Sequence, residues 1–203
     1  MQGNTGIVMA TMLEAQPLIR ALGLKLLIKR PFRVYAGGTH TLVISGIGKA
    51  HAAMAAAELV VHHGARVILN AGAAGALTRE LPLGGIYQVT RAVEPDRPKL
   101  IGRGLRTLLP DTLEGVAGAT LATQDRPMVT EEERRAVSLL AQLADMEGAA
   151  VVQAARLYGA RCHLFKFVSD TPDHSSDFNI VANIRRLRGA FADFIADKVL
   201  PEL

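Results

Sequence analysis

The chain has 203 residues, of which 49% are apolar, enough for one well-filled core, with no stretch that asks for a second domain. A formal charge of +4 and a pI near 9.5 bring polyanions into consideration, but the basic residues are dispersed. Aromatics make up only 4%, with no tryptophan, so stacking platforms for single-stranded nucleic acid are scarce.

The one basic cluster, Arg185, Arg186 and Arg188, falls on the expected solvent side of a C-terminal helix and reads as a solvated face rather than a nucleic-acid site. The single cysteine, Cys162, excludes an intramolecular disulfide and a zinc site built from several thiolates, which fits a reducing compartment. The opening MQGNTGIVMATMLEAQPL has no basic leader, and Glu14 interrupts its apolar run. It fits neither a signal peptide nor a membrane span, and the expectation is a soluble cytoplasmic protein of one domain over residues 1–203.

In chain order, TGIVMA reads as a buried strand and LEAQPLIRALG as a short helix stopped by Gly23. KLLIKR, FRVYAGG and HTLVISG are three candidate strands of an antiparallel segment turning near Pro31. GKAHAAMAAAELVVHHG is an alanine-rich helix, with Met54, Leu59 and Val60 expected inward and Gly64 as its stop. ARVILNAG is a strand running into an expected loop, AGAAGAL, and GGIYQVTRAV is another strand. Residues 94–114 are rich in Pro, Arg and Gly and read as an irregular excursion. GATLATQD resumes a strand, and TEEERRAVSLLAQL is a helix in which Thr130 and Glu133 have capping-box spacing. ADMEGAAVVQAARLYG is a small-residue helix, ARCHLFKFVSD a strand, and the last helix starts near Asn179. Strands alternating with helices predict an α/β fold.

Ligands of an open α/β sheet bind beyond the carboxyl ends of the strands. Those ends carry Glu14, GIGK, GAAG, TQD and SDTPD. None is specific alone. GIGK lacks the spacing of a phosphate-cradling loop, and Lys49 reads as an exposed helix-start residue. GAAG is not a dinucleotide fingerprint, and there is no serine-nucleophile elbow. His62 and His63 suit a helix end, and neither His51 nor His163 has an acid at ligand spacing, so no metal is expected. Asp170 follows an apolar strand and reads either as a turn cap or as a desolvated general acid. Glu14 reads as a cap of the first helix or as an acid at the same edge. In ADMEGAAVV one carboxylate would serve as a cap, which accounts for Asp145 or Glu147 but not both.

Taken together, GIVMATMLEAQPLI, VISGIGKAHAAMAAAELV, VILNAGAAGALTRELPLGGIYQV, ADMEGAAVVQAA and FKFVSD resemble the nucleoside phosphorylase and nucleosidase superfamily in order and spacing. The branch most resembled is the methylthioadenosine/S-adenosylhomocysteine nucleosidases. The resemblance implies a three-layer α/β domain, a central mixed, partly barrel-like sheet flanked by helices, assembled as a homodimer. It implies cleavage of an N-glycosidic bond of a purine nucleoside through an oxocarbenium-like transition state, without a cofactor. On that resemblance Glu14 activates water and Asp170 protonates or hydrogen-bonds the purine N7, oriented by Ser169. Glu147 binds the sugar hydroxyls, Met146 packs on the sugar face, and Asp145 is left for capping. Ile47, Ala73, Ala74, Gly75, Met128, Lys166 and Phe178 would border the substrate.

The sequence departs from that pattern at several of these positions. Ala73 stands where a serine is usual, Lys166 where those nucleosidases carry arginine, and Pro127-Met128 where they carry a base-stacking aromatic pair. Methylthioadenosine, S-adenosylhomocysteine, futalosine and adenosyl groups with apolar tails all remain open as substrates. Two alternatives stand beside hydrolysis: a phosphorylase of the same superfamily, with Arg91 or Lys49 as anion ligands, and a non-catalytic nucleoside-binding protein. Glu14 in the first loop disfavours a phosphate dianion there, and three retained acids disfavour pure binding.

Overall fold

The computed structural model of the chain describes residues 4–98, 104–128, 130–173 and 177–203, the side chains of Pro98, Asp177 and Phe178 excepted. Ten strands form one mixed sheet. They are β1 (Thr5–Met9), β2 (Lys25–Ile28), β3 (Arg33–Gly37), β4 (His40–Ile44), β5 (Val67–Ala76), β6 (Ile86–Pro98), β7 (Leu105–Leu108), β8 (Gly118–Thr123), β9 (Leu143–Asp145) and β10 (Arg161–Asp170). The helices are α1 (Met12–Ala21), α2 (Lys49–His63), α3 (Glu131–Ser138), α4 (Gly148–Leu157) and α5 (Asp177–Phe194), the last continued by a π-turn and a 3-10 turn to Glu202.

The pairing β10-β6-β8-β9-β5, closed by a direct β10–β5 ladder, makes a five-strand barrel. From β5 the sheet continues outward through β1, β4, β3 and β2. β1, β4, β5 and β10 run parallel, so their carboxyl ends gather at one rim. Buried on both faces, β1 and β10 are near-continuous apolar runs rather than alternating ones. One core lies beneath α2 and α4, where Ala52, Ala55, Ala56 and Leu59 meet Val151, Val152 and Ala155. The other lies beneath α1 and α5, centred on Phe165, Phe167 and Phe191. The Phe167 and Phe191 rings tilt against each other with centroids 4.8 Å apart.

Several elements differ from the sequence reading. AGAAGAL is not a loop: β5 runs through it to Ala76, because β10 pairs with it along its length and β9 pairs with its end. Residues 94–114 are only partly irregular, since β6 extends into them and β7 pairs back on β6. β9 was missed, being three residues long and without a pattern of its own. Met54 is 51% exposed rather than inward, whereas Leu59 is fully buried. In α3 Thr130 accepts from the Glu133 amide, but the Glu133 carboxylate turns to Arg126, so the box is only half formed. Lys49 is not an exposed helix-start residue: its ammonium lies against Glu94 at 3.3 Å and Asp96 at 2.8 Å. Arg188 is half-buried, donating to the Leu13 carbonyl, while Arg185 and Arg186 are exposed.

Candidate functional site

The rim of β1, β5, β9 and β10 carries a set of buried carboxylates, each held by a different local device. Glu14 sits at the third position of α1 in a complete capping box. The Thr11 hydroxyl accepts from the Glu14 amide, while the Thr11 amide donates to Glu14 Oε2 at 3.1 Å. The other oxygen, Oε1, accepts from the Ala73 amide of β5 at 2.9 Å and lies directly over Gly72. The side chain is thus pinned between the start of α1 and β5.

Asp170 ends β10 and packs over the next glycine of β5, Gly75, so closely that a Cβ there would fall 2.7 Å from its Oδ2. Ser169 Oγ donates to Asp170 Oδ1 at 2.8 Å, and the Ser169 carbonyl accepts from Asn183 of α5. Arg134 of α3 reaches Asp170 Oδ2 at 2.9 Å, both side chains being almost buried. Ala73 and Gly75 are two residues apart on one strand. Glu14 and Asp170 thus pack against two glycines of the same strand, Gly72 and Gly75, toward its carboxyl end.

The Asp-Met-Glu step divides its acids cleanly. Asp145 ends β9 and caps α4: the Gly148 amide donates to its Oδ2 at 2.8 Å, and the Thr123 hydroxyl donates to its Oδ1 at 2.6 Å. Its third partner is Lys166 of β10, with 2.8 Å between Nζ and Oδ2, both side chains fully enclosed. Glu147 makes no cap bond to α4. It turns instead toward the start of α2, where Oε1 accepts from the amide of its N-cap, Gly48, at 2.9 Å. Gly48 adopts φ +104°, a conformation L side chains rarely take, and this aims its N–H at the acid.

Burial, and after it the charge of Asp145, pushes the Glu147 carboxyl up to about 7, against the opposing pull of Lys166 and the Gly48 amide. Burial alone would lower the Lys166 ammonium. Asp145 and Glu147 outweigh it, so Lys166 is raised and stays charged. One buried cation thus serves a group of neighbouring carboxylates.

Among the other residues expected at the site, Ala74 is buried in β5, with its carbonyl accepting from Ser169 Oγ at 3.3 Å. Met146 is half-buried between Asp145 and Glu147. Ile47 is 57% exposed beside Gly48. Met128 packs with Val137 of α3 against Leu77 and Val93, close to the Arg134 end of the site. The Phe178 side chain lies outside the described residues. Arg91 donates to the Leu140 carbonyl and Lys49 is engaged by acids, so both cations considered as anion ligands already have partners. Among the described residues no group of three or more His, Cys, Asp or Glu is placed to hold a metal ion, and no helix is long and apolar enough to cross a membrane.

Sequence reasoning missed Arg134, Thr11, Thr123 and Gly48. The T-x-x-E spacing of Thr11 and Glu14 was available as a signal, being the same as that used for Thr130 and Glu133. Arg134 had none, because its partner lies 36 residues away.

The sequence model of the Phosphorylase superfamily matches residues 4–112 and 111–200, nearly the whole chain. The chain belongs to the phosphorylase superfamily. No curated protein matches it in sequence. Among solved structures it is similar to a point mutant of the Helicobacter pylori MTAN with 5′-methylthioadenosine in the active site, at a TM-score of 0.88 and 19% identity over 100% of both chains. It is also similar to the futalosine hydrolase of H. pylori strain 26695, at 0.86 and 20% over 98% of this chain and 97% of that one. A third similar structure is the 5′-methylthioadenosine nucleosidase of Arabidopsis thaliana, at 0.82 and 24% over 98% of both. Identities this low establish the shared superfamily fold.

Proposed function

We propose that this superfamily member is a nucleosidase that hydrolyses the N-glycosidic bond of an adenine-type purine nucleoside such as methylthioadenosine or S-adenosylhomocysteine. What supports the reading is that Glu14 and Asp170 lie against Gly72 and Gly75 of one strand, and that Glu147 is close enough to feel the charge of Glu14. Asp170, in its protonated form, donates to the purine N7, and Ser169 orients its carboxyl group. Glu147 accepts from the sugar hydroxyls and opposes the positive charge that grows on the ring as the bond breaks. Glu14 orients and deprotonates the attacking water. On this reading Ala73, Ala74 and Gly75 form the floor of the site, Met146, Met128 and Ile47 border it, and Lys166 lies beneath, enclosed with Asp145.

We favour water over phosphate as nucleophile because the Glu14 carboxylate would repel a phosphate dianion beside it, and because Arg91 and Lys49 are already partnered. The active form is a cytoplasmic homodimer joined through the groove between α2 and α4. Ala50, Ala53 and Ala57 floor that groove, and Met54 and Leu157 stand exposed beside it. The deciding experiment is chromatographic detection of free base from a nucleoside panel, with and without phosphate. Adenine release without phosphate is expected. A strict phosphate requirement would replace hydrolysis by phosphorolysis, and binding without release would leave a binding protein.

A further inference from the structure

Helix α1 carries a proline in its interior, Pro17. Proline has no amide proton, so the carbonyl four residues before it, that of Leu13, has no donor within the helix. A guanidinium from the far end of the chain supplies one: Arg188 of α5 donates to the Leu13 oxygen at 2.6 Å. Leu13 is the residue directly before Glu14. Of the three arginines clustered on α5, Arg188 alone is drawn into the molecule, and this bond is where it goes.

The same helix holds a second carbonyl that its own element leaves free. The β10–β5 ladder slips between Val168 and Asp170, which makes Ser169 the extra, unpaired residue of a bulge. Asn183 of α5 donates from Nδ2 to the Ser169 carbonyl at 3.0 Å. Ser169 directly precedes Asp170. Each of these two acids therefore follows a residue whose carbonyl is bound by α5, and the two donors stand five residues apart on one helix. That helix is firmly seated, since its Leu187 and Phe191 share a core with Leu18 of α1 and Phe167 of β10.

Apolar packing holds elements together without direction, whereas a hydrogen bond fixes both distance and angle. We infer that Arg188 and Asn183 are positioning residues: acting through Leu13 and Ser169, they make α5 a strut that sets the separation of Glu14 and Asp170. Pro17 belongs to this device, because an amide at its place would compete with Arg188 for the carbonyl. The inference rests on the nucleosidase reading above and adds to it residues that touch neither substrate nor reacting atoms.

The test reads turnover and the placement of Glu14 separately. The Ala73 amide donates to Glu14 Oε1, so its NMR resonance in the folded protein reports where that carboxylate lies. Arg188→Met keeps an apolar stem and removes the donor. It should move the Ala73 resonance and lower kcat for base release about tenfold with little change in KM, as expected of a reacting group displaced by less than about 1 Å. Arg188→Lys, which restores a donor, should recover most of both. Asn183→Ala should lower kcat to a similar extent but leave the Ala73 resonance in place, because it acts on Asp170. In a Pro17→Ala background the restored amide engages the Leu13 carbonyl, and Arg188→Met should then cost much less than it does alone. An unmoved Ala73 resonance or an unchanged kcat in Arg188→Met overturns the inference, and so do losses that multiply in full with Pro17→Ala. If no nucleoside releases its base from the unaltered protein, the nucleosidase reading fails by itself and the resonance still decides. A shift in Arg188→Met that Arg188→Lys reverses supports the strut, and no shift overturns it.

Discussion

Arg134 and Asp170 meet at 2.9 Å behind the rim of the barrel, with their side chains 11% and 7% exposed. The guanidinium takes Oδ2, Ser169 takes Oδ1, and the carboxylate is left one orientation over Gly75. Breaking a buried pair by removing one partner costs about 3 kcal/mol or more, since the other charge is left uncompensated. Arg134→Gln should therefore lower stability by roughly that amount in urea titration. Asp170→Asn should lower kcat by about a hundredfold or more while retaining the fold, the scale of a lost general acid. Unchanged turnover in Asp170→Asn would remove the residue from the chemistry.

What the sequence disclosed and what it hid divide along one physical line. The strand leading to Glu14, the strand ending in Asp170 and the Asp-Met-Glu step were readable because apolar runs and helix starts are local patterns. The glycine-rich end of β5 was not, because glycines mark turns in a single-strand view. Here they are the bare surface over which Glu14 and Asp170 lie. Gly48 looked like part of an incomplete phosphate loop, and only its positive φ reveals a donor aimed at Glu147. Arg134 and Thr123 act across the fold on residues more than twenty positions away. Met54, expected inward by helical spacing, is exposed, since Ala52, Ala55, Ala56 and Leu59 form the buried face of α2.

Glu147 governs the expected pH dependence. Its carboxyl has an ordinary value of 4.5 and is pushed up to about 7 in the folded protein. Between those values the folded chain holds a proton that the unfolded chain releases. This group's contribution to stability therefore declines as pH rises from about 4.5 to about 7 and is level above that. Activity should move in the opposite direction, because the ionised carboxylate is the form that accepts sugar hydroxyls and opposes ring charge. The acidic limb of kcat/KM is expected to bend near pH 7. A limb bending near the ordinary carboxyl value would show that burial does not govern Glu147.

Lys166 is the counter-charge beneath this arrangement. Replacing it by Met would leave Asp145 and Glu147 without their buried cation, at a cost of about 3–5 kcal/mol. Lys166→Arg keeps the charge in a bulkier, planar form and should be the milder change. Urea titration should rank the variants unaltered, Arg, Met. Where the Met variant still folds, its acidic limb should move to higher pH, because Lys166 holds Glu147 down. A Met variant as stable as the unaltered protein would show the pair to be dispensable.

Gly75 separates positioning from stability most directly. A methyl group there would come within 2.7 Å of Asp170 Oδ2, with Cγ at 3.2 Å, so the carboxylate must shift. Gly75→Ala is expected to cost about 1–3 kcal/mol, as other overpacked buried positions do. Misplacing a reacting group by about 1 Å can cost about a hundredfold in rate. The predicted signature is therefore a fall in kcat of about ten- to a hundredfold with a far smaller change in KM, in a protein that still unfolds cooperatively. Paired with Asp170→Asn, the two losses should combine to much less than their product, because both act through one carboxylate. Fully multiplicative losses would mean that Gly75 affects turnover by another route.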